Sequence, residues 1–388
     1  MTIVHPLVAL PVIQAQQSTR LISASIPNTI EVARVALVIG LVFLHYFAYP
    51  NSQTSPFMGL DPAHHPFATF VNSFILLFFF SAVPLLSTIS GWLFFNFADN
   101  PLATIQRRIR GRFSSLLLPL IVWNILTLLI GFAIYLVVPT SGLVGSFSFD
   151  FGQANTFDLA NAILGITRLP IAFQFWFVHD LFLTVLLSPL LWLMLRYVPL
   201  VCAIGLGLAW VAELTFGIFI RTDVLFFFFL GGLARTRNTS LVIQWSTTRI
   251  VLSVYALLMA ARALSPLVVD PTVAENLYWL DLATRLTRPL GVIACWGACL
   301  KLVDTGLGAT MVRYGGFAFF LHAAHFPLIA LVKFLLWRLV LKETDAWMLA
   351  HYVMSVALTV GVTAIAAAAI FKVSPGLYSF LAGGRRLV

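Results

Sequence analysis

Charge is what this sequence has least of. Only 10% of its 388 residues are Asp, Glu, Lys or Arg, against about 25% in a soluble domain. None of the four occurs over 62–98, 113–149 or 346–371. A spanning helix needs about 20 predominantly apolar residues, so each run is long enough and an ordinary soluble enzyme is excluded. Cysteine is nearly as scarce. Cys202, Cys295 and Cys299 cannot all pair, and no CxxC spacing occurs, so neither a disulfide framework nor a zinc site is supported. No Walker A, GxSxG or HExxH sequence is present.

What remains is 60% hydrophobic and reads as an all-α, polytopic membrane protein. The hydropathy pattern predicts ten spanning helices at 29–49, 67–96, 113–138, 175–195, 199–219, 223–235, 249–265, 288–304, 315–339 and 346–372. Residues 1–28 read as a cytoplasmic lead and 373–388 as a cytoplasmic tail. A signal peptide is not expected, because no basic residue precedes the short apolar stretch at 6–13. With both termini inside, most Lys and Arg fall on the cytoplasmic side, as cytoplasmic loops require. The net charge of +9 is therefore assigned to topology, and nucleic acid is not an expected partner.

Ionisable groups at membrane depth are costly and are functional candidates by default. Arg34 and His45 lie eleven residues apart, which is 20° past three full helical turns and about 16 Å along the axis. One helix face thus carries a cation near the cytoplasm and an imidazole near the outer leaflet. The competing reading is a snorkelling Arg and a His satisfied by a neighbouring helix. Arg107, Arg108, Arg110 and Arg112 precede the third predicted helix. Guanidinium forks suit phosphate, yet such a cluster also serves as a topology anchor or a contact to anionic membrane lipids. Trp176, His179 and Asp180 open the fourth helix, Glu213 sits in the outer half of the fifth, and His322 and His325 share a face of the ninth. No acidic residue completes a metal set around these two, so no metal is expected.

Several segments together resemble the bacterial membrane acyltransferase-3 family, from about residue 29 to 372. They are Arg34 with His45 ten intervening residues later; Pro84-Leu-Leu-Ser-Thr-Ile-Ser90-Gly91-Trp-Leu-Phe-Phe; Arg110-Gly-Arg112-Phe-Ser-Ser-Leu-Leu-Leu-Pro119 through Trp123-Asn124; Phe175-Trp-Phe-Val-His-Asp180 with Ser188-Pro189; and Phe319-Phe-Leu-His-Ala-Ala-His325-Phe-Pro327. His322 stands where the family usually has Tyr, and His179 where it has a basic residue. The family's Arg-x-x-Arg element fits Arg107 and Arg110, with Arg112 an equal candidate.

The resemblance implies an integral O-acyltransferase of the bacterial cytoplasmic (inner) membrane. It would carry an acetyl or other short acyl group from cytoplasmic acyl-CoA to a hydroxyl of a polysaccharide, lipid-linked oligosaccharide or periplasmic glycan. Acetyl-CoA is then a co-substrate, and no permanently bound cofactor is expected. Arg34 and the 107–112 arginines would hold the donor. His45 would act as general base or itself be acylated, with Glu213 or Asp180 orienting its ring. Ser90, Trp123, Asn124, Trp176, His179, His322 and His325 would line the acceptor side of the cavity. The rival classes are a transporter or flippase of lipid-linked glycans, for which the repeats expected of a transporter are not seen, and a glycan polymerase, for which Asp150 and Asp158 are the nearest acidic pair.

Overall fold

A computed structural model of the chain describes residues 9–98, 100–339 and 342–387, with side chains from residue 26 onward. Residues 1–8 of the predicted lead, Val388 of the tail, and Asp99 lie outside the described residues. The described residues form helices and no strand. The helices used below are α1 (Ala9–Leu44), α2 (Pro66–Phe94), α3 (Pro101–Val137), α4 (Thr156–Leu164), α5 (Phe173–Leu186), α6 (Ser188–Tyr197), α7 (Pro199–Val211), α8 (Asp223–Thr236), α9 (Trp245–Ala263), α10 (Ala274–Leu302), α11 (Gly306–Arg313), α12 (Phe317–Trp337), α13 (Asp345–Val373) and α14 (Pro375–Leu381).

Each of the ten predicted segments overlaps a helix, and 175–195 overlaps two, but the helices are not ten equal spans. Among the described residues, five are long and apolar enough to cross a membrane: Ile26–Leu44 of α1, then α2, α3, α12 and α13. The number rises to seven if α5 with α6, bent by 62°, and α10 with α11, bent by 101°, each count as one. α7 and α8 have 13 and 14 residues, or about 20 Å each, short of a 30 Å hydrocarbon core. The helix predicted over 199–219 stops at Val211, since Glu213, Phe216 and Gly217 all adopt positive φ. The first helix starts earlier than predicted, at Ala9, through Ala- and Gln-rich sequence that favours helix.

Proline sets the bends. A ring at position i removes the N–H that the carbonyl at i−4 would receive. Pro84 follows a 3₁₀ turn at Phe79–Ser81 in α2, Pro119 closes a π turn at Phe113–Leu117 in α3, and Pro189 follows the bend between α5 and α6. In α12, Phe326 before Pro327 is extended (φ −110°, ψ 134°).

α1 is the central post, packed by α2, α10, α11 and α12, with Val32, Ala33 and Val42 wholly buried. The tightest seam is α2 against α8. A Cβ on Gly91 would stand 1.9 Å from the Phe228 carbonyl oxygen, and one on Gly231 would stand 2.0 Å from that of Thr88. Backbone meets backbone there, as small residues allow between membrane helices. Gly231→Val is therefore expected to cost more than the 1–3 kcal/mol typical of overpacking, roughly, and to abolish monodisperse protein in detergent gel filtration. Gly205→Val, whose Cβ meets nothing within 4 Å, is expected to behave as the parent does.

Candidate active site

Two cavities meet inside the bundle. The first, of about 110 Å³, is lined by Arg34, Ser90, Arg112, His322 and Arg385 among apolar walls from α2, α5, α8 and α12. Arg34 forms an ion pair with Glu31 one turn earlier. The second cavity, of about 210 Å³, is lined by His45, Gln174, Trp176, Arg221, Asp223, Arg288 and His322. His322 and Phe177 border both. The second continues into a vestibule of about 430 Å³ through shared Phe57, Phe80, Arg221, Asp223 and Arg288.

His45 follows α1 directly, its N–H still bonded to Leu41 O at 2.9 Å. Its ring lies parallel to that of His325, with centroids 5.0 Å apart and an interplanar angle of 2°. Nδ1 of His45 and Nε2 of His325 are 2.8 Å apart, and Nδ1 of His325 is 3.1 Å from Leu321 O. A carbonyl only accepts, so a neutral His325 carries its proton on Nδ1 and presents Nε2 as acceptor. His45 then donates through Nδ1, leaving its own Nε2 unprotonated. The post is braced just beyond. Lys333 Nζ donates to Tyr46 O at 3.2 Å and to Ala48 O, and the Tyr46 hydroxyl bonds His351 Nδ1 at 2.8 Å.

Three side-chain atoms of residues lining the His45 cavity, Gln174 Oε1, His322 Nε2 and Arg288 Nε, are buried with no hydrogen-bond partner among the described residues. Buried polar atoms without partners are costly, and a polar occupant would satisfy them.

The sequence expected a carboxylate beside the His45 ring, and the structure puts His325 there instead. Glu213 is largely exposed and paired with Arg285. Asp180 is wholly buried but accepts the backbone N–H groups of Ile220 at 3.0 Å and Arg221 at 2.7 Å. It thereby holds the chain that delivers Arg221, whose guanidinium lies 5.0 Å from the Trp176 ring centroid. His179 bonds Asp180 at 2.9 Å, although neighbouring helical residues point about 100° apart; neither lines the two cavities.

The arginine cluster is also split. Because 101–112 is helical, its side chains fan around the axis. Arg112 alone of the four reaches the first cavity. Arg108 donates to carbonyls of Leu93, Phe94 and Asn96 and so caps α2, while Arg107 and Arg110 are exposed.

Trp123 and Asn124 hold other segments in place rather than lining the two cavities. Trp123 Nε1 donates to Leu381 O at 3.0 Å. Asn124 bonds Leu120 O, Ile163 O and Ala172 N.

Sequence reasoning missed Gln174, Arg221 and Arg288. For Gln174 a signal existed: Pro327 leaves Ala323 O without its helical donor, and Gln174 Nε2 supplies one at 3.0 Å, with Phe326 O at 3.3 Å.

The model of an acyltransferase domain, that of the acyltransferase-3 family, matches residues 28–370. The chain is similar to the succinoglycan biosynthesis protein ExoH of Rhizobium meliloti, 29% identical over 318 residues, which cover 79% of this chain and 80% of that protein. No solved structure matches.

Gln174→Leu strips the donor from two carbonyls at the α12 break. The expected loss is about 1–3 kcal/mol, read as a lowered Tm in detergent. An unchanged Tm would mean that Ala323 O has another donor.

Proposed function

Because the chain belongs to the acyltransferase-3 family, we propose that it transfers an acetyl or other short acyl group from cytoplasmic acyl-CoA to a hydroxyl of a cell-surface or secreted glycan. The glycan acceptor is supported by the likeness to a succinoglycan biosynthesis protein. The observation that carries the chemistry is the His45–His325 pair in a cavity with three unsatisfied polar atoms. A sugar hydroxyl is a weak nucleophile and must lose its proton as it attacks the thioester carbon. His45 Nε2, held free of its proton by the His325 contact, accepts that proton. His325 stabilises the developing imidazolium through its acceptor nitrogen, backed by Leu321 O. The attack forms a tetrahedral intermediate; its collapse breaks the carbon–sulfur bond, and CoA leaves as the thiol with the proton that His45 returns to the sulfur.

Arg34 and Arg112 receive the phosphorylated end of the donor in the first cavity. The pantetheine arm passes His322 toward His45. The acceptor enters through the vestibule and passes Arg221 to Trp176 in the His45 cavity, where guanidinium and indole offer hydrogen bonds and an apolar face to a sugar. The membrane is the bacterial inner membrane, crossed ten times with both termini in the cytoplasm. Arg34 and Arg112, both inner residues in that scheme, share one cavity, which supports placing them on the same side of the membrane; the Lys and Arg bias says which side that is. A reporter fused to the C-terminus is expected to read as cytoplasmic; an extracytoplasmic signal would overturn the topology.

In acyl transfer by purified protein, His45→Ala is expected to lower the rate about 10²–10⁴-fold with gel-filtration behaviour unchanged. His325→Leu frees the His45 ring to adopt either tautomer and is expected to lower kcat while leaving the donor KM near normal. A well-folded His45→Ala protein with near-normal turnover would exclude His45 as the base.

A further inference from the structure

The acyltransferase domain match ends at residue 370, yet the chain beyond it is built into the bundle. α14 starts at Pro375, with Ser374 Oγ accepting from Leu377 N at 3.3 Å. Tyr378 is wholly buried. Its hydroxyl donates to Gly316 O at 3.1 Å, and its ring stacks on Phe320 with centroids 5.4 Å apart. Trp123 holds the helix end at Leu381 O, and Ala382 is fully enclosed.

The chain then reverses at Gly383 (φ +63°) and Gly384 (φ +86°). Gly383 has a second reason to lack a side chain: a Cβ would stand 2.6 Å from Ser115 O, within the π turn of α3. This reversal turns Arg385 back into the first cavity beside Arg34 and Arg112. Its guanidinium lies 4.5 Å from the Phe319 ring centroid, and Nη1 donates to Ala382 O at 3.1 Å.

The cavity therefore collects three guanidiniums. Among the described residues, Glu31 is paired with Arg34, and no carboxylate is paired with Arg112 or Arg385. Burial first, then the charges of Arg34 and Arg112, lowers Arg385 to about 10, so it stays cationic at neutral pH. Like charges gathered in a low-dielectric pocket repel one another, and a multiply charged anion relieves that repulsion. Guanidinium forks match phosphate oxygens in number and plane.

We propose that Arg385, carried in from outside the acyltransferase domain by α14 and the two-glycine turn, is a third arginine binding the phosphates of the acyl-CoA donor. The proposal rests on the donor reading above. It makes the C-terminal segment part of the donor site.

The test uses full-length protein and two donors, acetyl-CoA and S-acetyl-N-acetylcysteamine. The second has the thioester and a short amide arm but no phosphate. Arg385→Gln is expected to raise the KM for acetyl-CoA about tenfold to a hundredfold with little change in kcat, and to leave turnover of S-acetyl-N-acetylcysteamine unchanged. Arg386→Gln removes the same charge from an exposed neighbour and is expected to change neither. If Arg385→Gln shifts both donors equally, the residue only supports the fold and the proposal is overturned. An unchanged KM for acetyl-CoA overturns it too. Should Arg385→Gln fail to accumulate, Arg385→Lys keeps the charge and loses the fork; a severalfold rise confined to acetyl-CoA is expected, and no rise overturns the proposal. If the parent protein neither binds nor turns over acetyl-CoA, the donor reading itself falls, and this proposal with it.

Discussion

Inside a membrane there is no water to satisfy a stray carbonyl, and Pro327 creates one at Ala323 in the middle of α12. Gln174 answers it from the start of α5. Much of the site follows from that single exchange. It lets α12 break at Phe326, immediately after His325, while α5 stays fixed against α12 where Phe177 and His322 border both cavities. His325 is left on the last regular turn before the break, its Nδ1 against Leu321 O, with its ring edge to edge with that of His45. Lys333, beyond the break, caps the end of α1 just after His45. The two histidines are thus held from both sides of one proline.

Pairing imidazole with imidazole has a chemical consequence. A carboxylate beside His45 would stabilise an imidazolium by charge. His325 offers only a lone pair and the dipole behind it. The pair can remain neutral in a buried site without the desolvation cost of a second buried anion. A positive charge on His45 is then favoured only while negative charge develops on the reacting oxygen nearby. Permanent charge sits to either side of the pair, among the arginines of the first cavity and at Arg221, Asp223 and Arg288 of the second, while transient charge arises at His45 itself.

Much of this was legible in the sequence because it is local. Uncharged runs gave the helices, and the eleven-residue spacing gave Arg34 and His45 their common helix. The resemblance brought His322 and His325 to the same region. What was not legible depends on packing between distant segments. Which of four clustered arginines faces inward is decided by the axis of the helix they share, and only Arg112 does so. The partner of His45 lies 280 residues away, and a carboxylate was expected because carboxylates commonly orient catalytic histidines. Arg221 enters through a loop held by Asp180, and Arg385 through a reversal that needs two glycines at positive φ. Helix ends misled for a related reason: hydropathy continues past Val211, while the backbone turns at Glu213.

The seam of α2 and α8 bears on how this interior can move. Leu86, Ile89, Ser90, Leu93 and Phe94 on one side of the seam, and Phe228 on the other, wall the arginine cavity. Where carbonyl meets glycine there are no rotamers to change and no side-chain volume to yield. That wall behaves as an anvil. The rest of the lining, Arg34, Arg112, Arg385 and the Phe319 ring, meets the cavity through side chains, whose rotamers can change where that backbone seam cannot.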